Sequence, residues 1–143
     1  SFIYLAIYWN NHHHLLHSAV KISGGIMWAN MHLLFWLSLL PFVTGWMGEN
    51  DFAPNTLFLY GIGLLMSAAA YFILQKLIIK KNGKNSRLSE AIGKDIKGKI
   101  SLVLYLIAIS VAFISPMLSG IIYASVAIIW MIPDKRLERL FDD

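Results

Sequence analysis

Cysteine is absent from the chain, which excludes thiolate metal centres, disulfides and cysteine nucleophiles, and leaves the redox compartment unreadable. Charge is scarce as well: 14% of the 143 residues are charged, and the apolar runs contain no paired carboxylates of the kind that general acid–base chemistry needs. No glycine-rich phosphate loop and no Ser/His/Asp arrangement is visible, so the chain does not read as an enzyme. Five histidines without intramembrane carboxylates are too few for a membrane diiron centre. Nothing in the chain suggests the small-residue clearance that a haem macrocycle requires. No internal repeat or low-complexity tract is present.

What the chain has is apolar length. Hydrophobic residues make up 57% of it and the mean hydropathy is +0.61. A helix that crosses a bilayer needs about 20 predominantly apolar residues. Residues 1–17, 22–46, 56–79, 100–115 and 117–132 approach that requirement, so the expected fold is an all-α, integral membrane helical bundle in a single domain. The first run begins at Ser1, in mid-span and without a charged leader, and is therefore read as the end of a helix that continues upstream. Asn55 is the expected N-cap of the third span. Its small residues Gly61, Gly63, Ser67 and Ala68 to Ala70 suit close helix approach. Ser115 and Pro116, as cap and first helical residue, predict a tight hairpin between the last two spans, and Pro133 ends the last one.

The cations are unevenly placed. Eight of the twelve Lys and Arg fall between Lys76 and Lys99. The positive-inside rule therefore puts the basic loop 80–99 in the cytoplasm, with the tail 134–143 on the same side and the acidic turn Gly48-Glu49-Asn50-Asp51 outside. The expected location is a cell membrane, crossed several times. Leu88, Ile92 and Ile96 recur at helical spacing, so 86–97 reads either as a short surface helix or as a solvated linker, the latter favoured by Gly93 and Gly98. The loop lacks interleaved aromatics, so anionic lipid headgroups rather than nucleic acid are the expected contact of Lys80 to Lys99.

Polar side chains at membrane depth are costly and mark a pathway or a buried network. Those here are Trp9, Asn10, Asn11, His12, His13, His14 and His17 in the first span, and Asn30 and His32 in the second. At about 100° per residue, Trp9, His13 and His17 share one face, Asn10, His14 and His17 an adjoining one, and His12 points elsewhere. His32 is too short to reach either surface and needs a partner. Asn10, His13 or His14 opposite Asn30 and His32 would enclose one polar cluster. No metal or other cofactor is expected. The lesser alternative is a proton- or metal-linked transporter or redox protein, its metal held by His13, His17 and His32.

The run Tyr8-Trp9-Asn10-Asn11-His12-His13-His14-Leu15-Leu16-His17, with Gly25-Ile26-Met27-Trp28-Ala29-Asn30-Met31-His32-Leu33-Leu34-Phe35-Trp36 and Pro41-Phe42-Val43-Thr44-Gly45-Trp46-Met47-Gly48-Glu49, closely resembles bacterial members of the transmembrane protein 175 family of potassium channels. The resemblance implies a six-helix subunit, a homotetramer around a central pore and passive, potassium-selective flux. It also implies a first helix that lines the pore and carries a Phe-Ser-Asp motif, held by polar residues of the next two helices. Trp9, Asn10, His13, His14, Asn30 and His32 are the positions here that would supply that network. The motif and its helix are not in this sequence, so no pore-lining residue can be named from it.

Overall fold

The computed structural model describes residues 1–83, 87–93 and 95–132, and the described residues form six helices. These are α1 (Phe2–His17), α2 (Gly24–Glu49), α3 (Pro54–Asn82), α4 (Arg87–Ile92), α5 (Ile96–Val111) and α6 (Pro116–Met131). The expected end of the last span at Pro133, the charged tail, Lys84 and Lys94 lie outside the described residues.

Local chemistry sets the helix ends. The Ser23 hydroxyl accepts from the Ile26 amide, so α2 begins at Gly24 rather than at 22. It runs through Pro41 to Glu49, three residues past the expected end. Pro41 leaves one carbonyl of the preceding turn without its amide, a loss that membrane helices tolerate where hydroxyls and neighbours compensate. Thr44 donates to the Leu40 carbonyl in this turn at 2.7 Å. The third span begins two residues before its expected start, because Pro54 takes the first helical position; Ala53 is then the cap, and Asn55 sits inside the first turn. The Ser115 and Pro116 expectation is met: Ser115 accepts from Leu118, and Pro116 opens α6.

The described residues of the stretch 86–97, namely 87–93 and 95–97, form neither one surface helix nor a plain linker. Gly93 and Asp95 both adopt left-handed backbone angles and split it into α4 and the first turn of α5. Asp95 caps α5 by accepting from Gly98, which starts the fourth span at Ile96 instead of 100. Leu88 is buried and Ile96 exposed, so the two do not form one apolar stripe.

Two helices, α2 with 26 residues and α3 with 29, are long and apolar enough to cross a membrane. At 1.5 Å per residue each exceeds the roughly 30 Å of a hydrocarbon core. The helices α1, α5 and α6 have 16 residues each and fall short of that length. The bundle is apolar outside, with Phe42, Ile114 and Met117 exposed, and keeps Thr56, Ser67, Gln75, Ser101 and Ser119 inside. That distribution suits a lipid surround.

The small residues of α3 serve two neighbours. A side-chain carbon on Gly63 would meet Leu40 of α2, whereas one on Gly61 would meet Tyr123 of α6 and Ile109 of α5. Two residues apart on a helix are rotated by about 200°, so the two glycines face opposite partners. The α5–α6 hairpin is tied by the Ser119 hydroxyl, which donates to the Ala108 carbonyl at 2.9 Å.

Asn82 closes the far end of α3 onto the α1–α2 connection. Its side-chain oxygen accepts from the Lys21 amide at 2.8 Å, and its nitrogen donates to the Lys21 carbonyl at 3.2 Å. Asn82→Ala is expected to cost about 1–2 kcal/mol, since each net hydrogen bond is worth about 1 kcal/mol. Faster hydrogen exchange at the Lys21 amide, with unchanged protection in mid-α3, is the expected signature.

Candidate functional site

The polar residues singled out from the sequence lie along the outer faces of α1 and α2. Trp9, His13 and His17 share one face, as the helical period requires: the Trp9 and His13 rings stack at 5.5 Å and those of His13 and His17 at 6.1 Å. Trp9, His13 and His17 are exposed. His14 meets His13 edge-on at 5.6 Å, and Asn10 is exposed.

The link between the two helices is made by His12, whose Nε2 is hydrogen-bonded to the Asn30 side-chain oxygen. Neither His13 nor His14 takes that place. His12 lies one turn beyond Tyr8, at the edge of the packed face of α1 rather than away from the second helix. The expectation for His12 is corrected on this ground. His32 finds its partner within its own helix and accepts from the Trp36 indole nitrogen at 2.9 Å. Trp36 is thus tied to His32 as well as to its neighbour ring, Phe35, at 5.3 Å. His32 is exposed and does not join the His12–Asn30 pair.

A single enclosed cluster is therefore not what these two helices build. It carries one interhelical pair, His12–Asn30, flanked by a stacked Trp9–His13–His17 row on α1 and a His32–Trp36 unit on α2. Among the described residues no group of three His, Cys, Asp or Glu gathers to hold a metal ion, and His13, His17 and His32 are not brought together.

Tyrosine, which drew no attention in the sequence, organises the interior. The rings of Tyr4, Tyr60, Tyr123 and Tyr105 form a chain with centroids 6.2, 5.4 and 6.4 Å apart, and Tyr8 meets Tyr71 at 6.3 Å. All six tyrosines of the chain take part. Tyr4 donates to the Tyr123 carbonyl, and Tyr123 donates to the Leu57 carbonyl at 3.0 Å, which couples α1, α6 and α3. The signal was present in α1, where Tyr4, Tyr8, Asn11 and Leu15 recur at helical spacing opposite the Trp9–His13–His17 row.

The comparisons converge on the same segment. Residues 1–41, which carry α1, the connection and the first two-thirds of α2, match the family model described as endosomal/lysosomal potassium channel TMEM175. The protein named potassium channel HX13_20290 from Chryseobacterium sp. (strain P1-3) is 52% identical over 139 residues, covering 97% of this chain and 72% of that relative. The chain belongs to the TMEM175 family. No solved structure matches it. The family is one of potassium channels rather than enzymes, so the histidine-rich face is to be understood in a transport protein of the membrane. In this TMEM175-family chain the matched residues contain the His12–Asn30 pair, the stacked row and the His32–Trp36 unit.

Proposed function

We propose that this chain is the scaffold of a potassium-selective channel subunit that passes K+ passively across the cell membrane. The reading is carried by 52% identity, over almost the whole chain, to a relative named as a potassium channel. A structural feature supports it. Trp9, Asn10, His13, His17 and His32 of α1 and α2 stand exposed on a bundle whose outer surface also carries large apolar side chains such as Phe42, Ile114 and Met117. Lipid cannot hydrogen-bond such groups, so a further protein surface is needed to cover them.

The covering surface in this proposal is the pore-lining helix that the resemblance implies, together with neighbouring subunits of a homotetramer. Trp9, Asn10, His13, His14, Asn30 and His32 face that helix, and His12 holds α1 to α2 behind them. In the assembly α1, α5 and α6 also cross the bilayer, with residues 80–99 and the C-terminal tail in the cytoplasm. Lys80 to Lys99 rest against anionic headgroups there. Potassium is the permeant ion, and no resident cofactor is invoked.

The test is flux through the full-length protein in liposomes under imposed K+, Na+ and H+ gradients, with the voltage set by ionophores. The expected result is passive flux dominated by K+, reversing where the K+ gradient dictates. Flux coupled to protons, or none from protein that is folded and assembled, would overturn the channel reading.

A further inference from the structure

The α5–α6 hairpin is short for a bilayer. Each of its helices has 16 residues, which is about 24 Å of rise against about 30 Å of hydrocarbon. Its open end is pinned at the basic end of the bundle. There the Lys97 ammonium donates to the Ile132 carbonyl at 2.8 Å and lies over the Trp130 ring, and the Trp130 indole donates to the Ser101 hydroxyl at 2.7 Å. The missing length therefore falls at the tip, residues 112–117.

The level of the tip is set by α3. Phe113 meets Phe58 with ring centroids 5.4 Å apart, and one turn below Phe113 the Ile109 side chain lies against Gly61. Phe58 is four residues past Pro54, about 6 Å along α3, and Glu49 and Asp51 precede Pro54 in the turn that joins α2 to α3. The tip thus stops about 6 Å short of the start of α3, on the hydrocarbon side of the acidic turn.

Its chemistry agrees with that depth. Phe113, Ile114 and Met117 are all exposed, Ile114 by 84% and Met117 by 78%, and no charged residue occurs from 100 to 133. Ser115, the one polar side chain of 112–117, accepts from the Leu118 amide. The turn also meets its own backbone. The Ile114 and Ser115 amides donate to the Val111 carbonyl at 3.0 and 2.8 Å, and the Ser119 amide donates to the Ser115 carbonyl at 3.1 Å. Internal pairing of this kind is what lipid demands of a chain reversal, whereas water would meet three large apolar side chains and no polar one.

We propose that the α5–α6 tip is a lipid anchor, with Phe113, Ile114 and Met117 held among the acyl chains of the leaflet nearest the acidic turn. The hairpin then reaches that far leaflet without emerging into the water beyond it. This deepens the membrane reading and rests on it, but it does not depend on ion conduction.

The test places a nitroxide at Ile114→Cys in the full-length protein, any other cysteine being replaced, in phosphatidylcholine nanodiscs. Power-saturation EPR reads its collisions with oxygen, which concentrates in hydrocarbon, and with nickel–EDDA, which stays in water. The expected result is high oxygen accessibility, with nickel accessibility about fivefold below that of a label at Glu49→Cys, because the nickel complex is excluded from hydrocarbon. Leu106→Cys, on the exposed side of α5, is the dry reference. Nickel accessibility at Ile114 equal to that at Glu49 overturns the proposal. If Leu106 stays dry in that case the membrane reading survives, and if Leu106 is wet as well that reading falls too. Low collision with both reagents at Ile114 would reveal a protein surface over the tip and would overturn the lipid anchor. Should Ile114→Cys fail to fold, the equally outward Met117→Cys gives the same decision.

Discussion

Gly61→Ala should cost about 2–4 kcal/mol, one of the largest single-methyl effects available in this chain, as the sum of overpacking and a broken hydrogen bond. Gly61 is buried in α3, and a β-carbon there would land on the Tyr123 hydroxyl and crowd Ile109. Tyr123 cannot yield cheaply, because its hydroxyl donates to the Leu57 carbonyl and its own carbonyl accepts from Tyr4. Its ring also packs between Tyr60 and Tyr105. Moving it therefore disturbs α1, α3, α5 and α6 together. The measurement is thermal unfolding of the purified protein, with monodispersity as a second readout. Tyr123→Phe in the same chain removes the obstructing oxygen and should recover part of the loss. Equal losses for Gly61→Ala with and without Tyr123→Phe would show that the hydroxyl is not the obstacle. Gly63→Ala makes a fair control, since its contact is the tip of the Leu40 side chain, which can adjust.

His12→Ala in the full-length protein is expected to lower K+ flux without changing the preference for K+ over Na+. The pair it forms with Asn30 joins α1 to α2, and removing one member leaves the other unpartnered at about 1–3 kcal/mol, a five- to 150-fold shift in a two-state equilibrium. Ion preference depends on groups that touch the ion, and His12 is placed behind the face that would meet a pore helix. Asn30→Ala should reproduce the effect, and the double variant should cost little more than either alone, the coupling expected of direct partners. Additive losses would show that the two residues act separately. His32→Ala should behave differently, because its partner Trp36 is on the same helix; it removes a local bond on the outer face and should disturb assembly before it disturbs the α1–α2 junction.

Much of the helix layout was legible in the sequence because capping and proline act over a few residues. Ser115 and Pro116 placed the start of α6, and the uncharged runs located α2 and α3. The same rules misplaced Asn55, since a proline at the first helical position takes precedence over a nearby asparagine. They also missed the division of 86–97, where Asp95 turns left-handed to cap α5, a conformation that the residue type permits but does not announce.

The candidate site was legible only in part. Helical phase correctly set Trp9, His13 and His17 on one face, because phase depends on the rotation per residue alone. It was silent on which face turns to a neighbour. The rotation of α1 about its axis is decided by the tyrosine core, which seats Tyr4 and Tyr8 inward and so carries His12 to Asn30.

By itself, then, the sequence determined what each residue's neighbours along the chain can decide: an apolar chain of helical pattern, a cluster of cations between Lys76 and Lys99, and the motif run that marks the TMEM175 family. The tertiary structure alone decided the partner of Asn30, the opposite duties of Gly61 and Gly63, and the chain of rings from Tyr4 through Tyr60 and Tyr123 to Tyr105. Each of these depends on contacts between residues 18 or more positions apart, whose geometry follows from how whole helices pack and not from any local propensity.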